Sequence, residues 1–377
     1  MIEYIDEYRN WIDETWTKLD NKLSNVAIKS REKIPYTTVD GEHDNKLLED
    51  ATWWTNGFWG ALMWIMYMGT QNEEYKITAE RAEELLDEAF KHYDGLHHDV
   101  GFMWNITSGT NYRITGSEKA KNRFSTAAAL LASRYNIQGG FIKAWNGNEK
   151  EKAGLTIIDS MMNIPMLYRA CQIENDERFL YIAKSHANMT MQDHIRPDGS
   201  VNHIVIHNPE TGEVVETWGG QGYGVGSSWS RGQAWAIYGY ALSYIHTKEQ
   251  KYLDVAKRVA HYFIANLASN NYLPLVDFRS PSEPVLYDST AGAIAACGLI
   301  EIAKFVDEYE KKIYIDAAMK MLVAMEKEFC DWTENEDSIL QKGTEAYERG
   351  IHIPIIYGDF FFAEALFKLK GNDFLIW

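Results

Sequence analysis

Two aspartates stand where carboxylates are seldom found. Asp159 lies inside the run "IIDSMMNIP", with Ile157 and Ile158 before it and Met161 and Met162 after it. A carboxyl held away from water keeps its proton to higher pH, which is what a general acid working near neutrality requires. Asp99 stands in "HHDVGF", directly after His97 and His98 and before an apolar turn. Three readings fit that stretch: metal ligands, an acid/base partner, or the cap of a helix. Asp288 and Asp359 also open apolar helical runs. For those two the simpler reading is a cap or first-turn residue favoured by the helix dipole.

Other chemistries find less support. His203 and His207 are four apart, but on an extended run and without a His-Glu-x-x-His pattern. No metal centre and no cofactor are therefore expected. The glycine-rich segment 218–235, "WGGQGYGVGSSWSRGQAW", lacks the Gly-Lys-Ser/Thr end of a phosphate loop. It reads instead as a loop that brings backbone close to a ligand, with a helix starting near Ser230 and Arg231. No Gly-x-Ser-x-Gly elbow or catalytic-cysteine signature is present. Paired carboxylates remain, and these point to glycosidic-bond chemistry. The 13 Trp and 22 Tyr agree with this. Many of these rings belong to the core, yet indole faces beside Asp, His and Gln also suit the C–H faces and hydroxyls of sugars.

The elements that must position these residues are helical. Ile5, Tyr8, Ile12, Trp16, Leu19 and Leu23 form one apolar stripe, and Tyr75, Ala79, Ala82, Leu86 and Phe90 another. Similar amphipathic segments run over about 117–137, 176–193, 249–269 and 310–328. Between them lie segments that are apolar nearly all round, at about 54–69, 100–110, 157–172, 230–246, 288–304 and 357–370. A helix apolar on every side has to be covered on every side. The alternation therefore predicts an all-α fold, six inner helices inside six outer ones, an (α/α)6 barrel. One exception stands at about 200–218, where "NPETG" separates two short extended runs and predicts a hairpin on the rim. No Pro/Gly/Ser-rich linker divides the chain, so residues 1–377 are expected to form one catalytic domain. The polar residues cluster at the starts of the inner helices, which in such a toroid converge on one mouth.

Charge narrows the partners. The chain carries 37 Lys and Arg against 54 Asp and Glu, a formal charge of −17. That disfavours nucleic acid and anionic membrane surfaces, which need clustered cations. No run of about 18 apolar residues is present, and the opening "MIEYIDEYRNWIDETW" has no secretory leader pattern. Cys171, Cys297 and Cys330 are odd in number and far apart, as buried thiols of a reducing compartment would be. A cytoplasmic location is the expectation.

The stretches "HHDVGF" (97–102), "IKAW" (142–145), "IIDSMMNIPML" (157–167), "SSWSRGQAWAIYGYAL" (227–242) and "YGDFFFAEAL" (357–366) together resemble the unsaturated glucuronyl hydrolases, glycoside hydrolase family 88. The likeness runs in order from about residue 51 to about 370. It implies the same (α/α)6 barrel. It implies a glycosidase acting on oligosaccharides that carry a 4,5-unsaturated uronic acid at the non-reducing end, such as lyase products of chondroitin or hyaluronan. The chemistry it implies is hydration of the vinyl ether. A proton goes to C4, water adds at C5, and the hemiketal opens to release the aglycone.

By that resemblance Asp159 is the acid/base, and Asp99 supports it and the sugar hydroxyls. His203 and Gln221 would bind the uronate and the water, and Arg231 the uronate charge. Trp54, Trp145 and Trp235 would be aromatic walls, with Thr217 and Gly219 giving backbone contacts. One departure concerns sulfate. Where relatives with sulfated substrates carry Ser-x-x-Ser-x-Lys, this chain has Thr344-x-x-Tyr347-x-Arg349. Arg349 is the candidate there, as a bidentate sulfate ligand or as a solvated loop arginine. The alternatives are an unsaturated rhamnogalacturonyl hydrolase with the same hydration chemistry, a sugar 2-epimerase-like isomerase, and a sugar-binding protein without activity.

Overall fold

The computed structural model describes residues 5–147 and 149–377. The first four residues of the opening stretch thus lie outside the described part. Six outer helices span Arg9–Lys29, Glu73–Leu86, Glu118–Ser133, Glu177–Asp193, Gln250–Ala268 and Glu308–Phe329. Each buries one stripe, as Ile12, Trp16, Leu19 and Leu23 do in the first. The first, fourth, fifth and sixth inner helices are Phe58–Thr70, Ser230–Thr247, Ser289–Ala303 and Ile356–Leu369. Ser289–Ala303 and Ile356–Leu369 are buried along their whole length, which is the outcome expected of runs apolar all round. Each inner helix packs on the next, and the sixth returns onto the first, closing the (α/α)6 barrel.

The second and third inner helices differ from the sequence reading. Each is broken in two. The second runs Val100–Trp104 and then Ser108–Thr115, and the third Ser160–Asn163 and then Pro165–Glu174. Pro165 has no N–H to continue the upstream turn, so it starts a helix of its own. The stretch read as helix from 157 also begins differently. Leu155–Ile157 is a strand, antiparallel to Ile204–His207, which in turn pairs with Val214–Trp218. The expected rim hairpin is thus two strands of a three-stranded sheet. A short apolar run fits a buried strand as well as a buried helix, and only the waiting partner strand decides.

Connections at the two ends of the barrel are unlike. At one end inner helices pass to outer ones through single left-handed residues, Gln71, Asn175 and Lys248 among them. At the other end the chain enters each inner helix through long loops. Outer helices begin with side-chain caps from Asn72, Ser117, Asp176 and Asp307. Inner segments following Asp99, Asp159, Trp229 and Ile355 begin without one. The barrel axis below that open end is filled with rings. Phe102 packs on Trp235, Trp235 on Phe361, and Phe361 stacks on Trp377 at an interplanar angle of 4°. Among the described residues no helix is long and apolar enough to cross a membrane.

Candidate active site

The loops at the open end enclose a cavity of about 780 Å³. Both aspartates singled out from the sequence line it. Neither is a cap. Asp159 sits at the residue before Ser160–Asn163, but its side chain accepts nothing from that helix. Its Oδ1 is buried with no hydrogen-bond partner among the described residues. Burial raises its pKa to about 7, against the pull of Arg231. Asp99 was open to a capping role, and the structure corrects that. The N–H of Phe102 is taken by Asn163 Oδ1 at 2.9 Å instead. Asn163 Nδ2 then donates to Asp99 Oδ1 at 2.8 Å and to the Asp159 carbonyl at 3.2 Å. One amide therefore locks the second and third inner helices together and sets the two carboxyls beside each other. Gly101 makes this possible, because a Cβ there would lie 2.7 Å from Asn163. Burial also raises the pKa of Asp99 well above the carboxylate range, and the charge of Asp159 raises it further. Two such groups do not both ionise at neutral pH, so the pair holds a proton.

The sheet delivers the third partner. His203 directly precedes the strand Ile204–His207 and packs against Trp229, with ring centroids 4.2 Å apart and the rings tilted by 39°. Its Nδ1 accepts the N–H of Gln221 at 3.0 Å. The ring proton is then on Nε2, which faces Asp159 Oδ1 at 3.7 Å. Burial, with Arg231 adding to it, lowers its pKa to about 3, so the ring is neutral. Gly220 permits this arrangement: its φ is +61°, and a Cβ would meet His203 Nδ1 at 2.0 Å.

The remaining residues expected at the site fall into two groups. Trp54, Trp145, Gly219, Gln221, Arg231 and Arg349 line the cavity. Thr217 and Trp235 do not. Thr217 is a strand residue paired with Val205. Trp235 is fully buried beneath the floor, against Phe102 and Phe361. Arg231 is also spoken for: Nη1 pairs with Asp288 Oδ2 at 2.5 Å, and the guanidinium donates to the carbonyls of Thr344 and Glu345 at 2.6 Å. Asp288 does cap its helix, through the N–H of Thr290. Asp359 does not; it accepts the N–H groups of Ile339 and Leu340 from a neighbouring loop. Arg349 is exposed and meets Glu345 Oε2 at 3.3 Å. Thr344 is turned inward, donating to the Tyr287 carbonyl, while Tyr347 reaches the cavity edge-on to Tyr223.

The sequence singled out His98 without giving it a place in the site, and it passed over Asn163 and several aromatic rings. His98 lines the cavity and contacts Ser160 Oγ through Nδ1 at 2.7 Å. Asn163 stood in the same quoted run as Asp159 and could have been found as a lone amide in an apolar helix. Tyr36, Trp53, Trp218 and Tyr357 complete the rings around the cavity. Among the described residues His97, His98 and Asp99 form a compact trio of possible ligands. Asp99 Oδ2 lies 3.4 Å from a nitrogen of each histidine. Both histidines are held neutral by burial, His97 near a pKa of about 4.

The family profile described as Glycosyl Hydrolase Family 88 matches residues 27–271. An unsaturated glucuronyl hydrolase of Bacillus sp. (strain GL1) is 33% identical over 350 residues, 91% of this chain and 92% of its own. An unsaturated chondroitin disaccharide hydrolase of Streptococcus pneumoniae is 34% identical over 337 residues, 87% of this chain and 84% of its own. The crystal structure of an unsaturated glucuronyl hydrolase from Bacillus sp. GL1, described as responsible for the degradation of glycosaminoglycan, superposes with a TM-score of 0.87. It is 30% identical and is covered over 97% of its length by 94% of this chain.

Proposed function

The chain belongs to glycoside hydrolase family 88, and from that premise we propose that it releases a 4,5-unsaturated uronic acid from lyase-generated glycosaminoglycan-type oligosaccharides, unsaturated chondroitin and hyaluronan disaccharides among them. The reading takes 1–377 as one catalytic domain. Its main support is the carboxyl pair: a proton held near neutrality beside an unpartnered oxygen, Asp159 Oδ1, inside a ring-lined cavity of about 780 Å³.

In the proposed reaction Asp159 delivers its proton to C4 of the vinyl ether. The cation that develops at C5 and the ring oxygen is met by the negative charge left on Asp159, while Asp99 supports that carboxyl and the sugar hydroxyls. Water adds at C5, giving its proton back to Asp159, and the resulting hemiketal opens to a 5-keto uronate with loss of the aglycone. One carboxyl serves as acid and then base because its pKa lies near the working pH. His203, neutral with its N–H on Nε2, is assigned to the carboxylate side of the sugar and the incoming water. Trp54 and Trp145 are assigned to the sugar faces. Arg231, tied to Asp288, contributes its field more than a free fork of donors.

The deciding experiment is a panel of unsaturated disaccharides, sulfated and not, from chondroitin, hyaluronan and rhamnogalacturonan, followed by loss of the conjugated absorbance. Turnover of the glycosaminoglycan set is expected. Turnover confined to rhamnogalacturonan fragments would move the substrate assignment. Asp159→Asn should lower kcat by about 10²–10⁴-fold with a modest change in KM, the range of a lost acid/base. Wild-type-like turnover in that variant would remove Asp159 from the role.

A further inference from the structure

Arg134 ends the outer helix Glu118–Ser133 and does not reach the cavity. Its guanidinium is nevertheless the centre of a small network behind the site. Nε donates to the Lys143 carbonyl at 2.8 Å, Nη2 to the Ala144 carbonyl at 3.0 Å, and Nη1 to Asn146 Oδ1 at 2.8 Å. All three acceptors flank Trp145, a cavity wall. The same two residues reach the other loop. Asn146 Nδ2 donates to the carbonyls of Asp94 and Leu96, at 2.9 and 3.0 Å. The Ala144 carbonyl also accepts the N–H of His98 at 3.2 Å. Arg134 thus grips, directly and through Asn146, both the loop that carries Trp145 and the loop that carries His97, His98 and Asp99.

The charge has its own use. Among the residues whose side chains are described, no carboxylate pairs with Arg134, which is unusual for a half-buried guanidinium. Burial lowers its pKa to about 10, and Asp99 is the group that supports its charged form. The effect is mutual, since Arg134 supports the ionised form of Asp99. Facing Asp99 are also His97 and His98 from its own loop and Asp159 from the third inner helix. Lys143 feels Arg134, Asp50 faces His97, and Arg231 acts on Asp159.

We propose that Arg134 is a positioning residue: it fixes the loop of Trp145 and the loop of Asp99 relative to each other and, through the Ala144 carbonyl that it shares with the N–H of His98, sets its positive charge behind Asp99. The inference rests on the reading of the carboxyl pair given under the proposed function. It separates two roles, a clamp and a charge. Arg134→Lys keeps the charge and loses the fork. Arg134→Met loses both. Asn146→Ala loosens the clamp and leaves the charge.

The test is the pH profile of kcat/KM on an unsaturated chondroitin disaccharide, together with carboxyl ¹³C NMR titration of Asp99, assigned through Asp99→Asn. The NMR titration needs no turnover, so it stands even if the substrate reading fails. Arg134→Met is expected to move the Asp99 titration and the profile to higher pH by roughly half a unit, and to raise KM several-fold. Arg134→Lys should keep the titration near wild type while KM rises. Asn146→Ala should raise KM without moving the profile. A folded Arg134→Met whose titration superposes on wild type would overturn the charge role. Wild-type KM in both Arg134→Lys and Asn146→Ala would overturn the clamp. If Arg134→Met does not fold, Arg134→Gln supplies the same comparison.

Discussion

Asp159 owes its proton to burial, and burial has a measurable cost in stability. Its folded pKa is raised to about 7, while an unfolded aspartate titrates near 3.9. The folded chain therefore holds a proton that the unfolded chain has already given up. The stabilisation from this is complete below about pH 4 and is lost as pH rises through about 7. Asp159→Asn carries no such penalty. We expect its Tm to be close to wild type near pH 4, to exceed it increasingly up to pH 7, and then to stay above it, by the equivalent of roughly 2–4 kcal/mol at most. A thermal melt series over pH 4–8 reads this directly, and parallel curves would mean the carboxyl is not desolvated. The asymmetry of Asp159 was legible in the sequence because isoleucines and methionines surround it. The corresponding statement about Asp99 was not. Its environment is made by Asn163, Arg134 and Asp159, none of them near it along the chain.

Among the elements, the segment 218–229 repays attention. Sequence showed it rich in glycine and suited to close approach, without showing what approaches. The structure supplies the answer at Gly220, whose missing Cβ makes room for the imidazole of His203. Gly220→Ala would have to adopt a left-handed backbone and displace the ring, a strain of about 1–2 kcal/mol locally. Because the ring is the one that faces Asp159, we expect kcat/KM to fall at least about tenfold while Tm drops by only a few degrees. Unchanged kinetics would show that the orientation of His203 is not required. The three-stranded sheet teaches a related lesson. Ile157 reads as the start of a buried helix, yet it closes the strand Leu155–Ile157, a choice made by Ile204–His207, far along the chain. Local pattern shows that a stretch is buried; pairing decides how.

At the scale of the whole molecule the barrel separates a wet end from a dry axis. Trp235 belongs to the axis, as its full burial against Phe102 and Phe361 shows. Trp235→Ala is therefore expected to cost about 3–5 kcal/mol of stability through the cavity it leaves. At a temperature where the variant is folded, KM should change little. A large KM rise without loss of stability would return Trp235 to the cavity wall. The same dryness governs acid behaviour. His186 and His203 are held near a pKa of about 3, and His43, His97 and His194 near about 4, all by burial. Unfolded histidines take up protons below about pH 6.5. Stability from these groups is thus full above pH 6.5 and is lost as pH falls toward 4. Calorimetry in buffers of different ionisation enthalpy should show net proton uptake on unfolding at pH 5, and net release would contradict the neutral assignments.

The sequence by itself determined the helical alternation, the division into inner and outer sets, and the Asp159 carboxyl in an apolar setting. Each of these follows from neighbours three to four residues away, the range over which hydrophobic period acts. The tertiary structure decided which polar groups meet. It placed Asn163 between two aspartates, turned His203 toward Asp159, set Trp235 below the floor and consumed the fork of Arg231 on Asp288. Those outcomes depend on loops entering six different helices at one end of a closed ring, and no local period along the chain encodes that convergence.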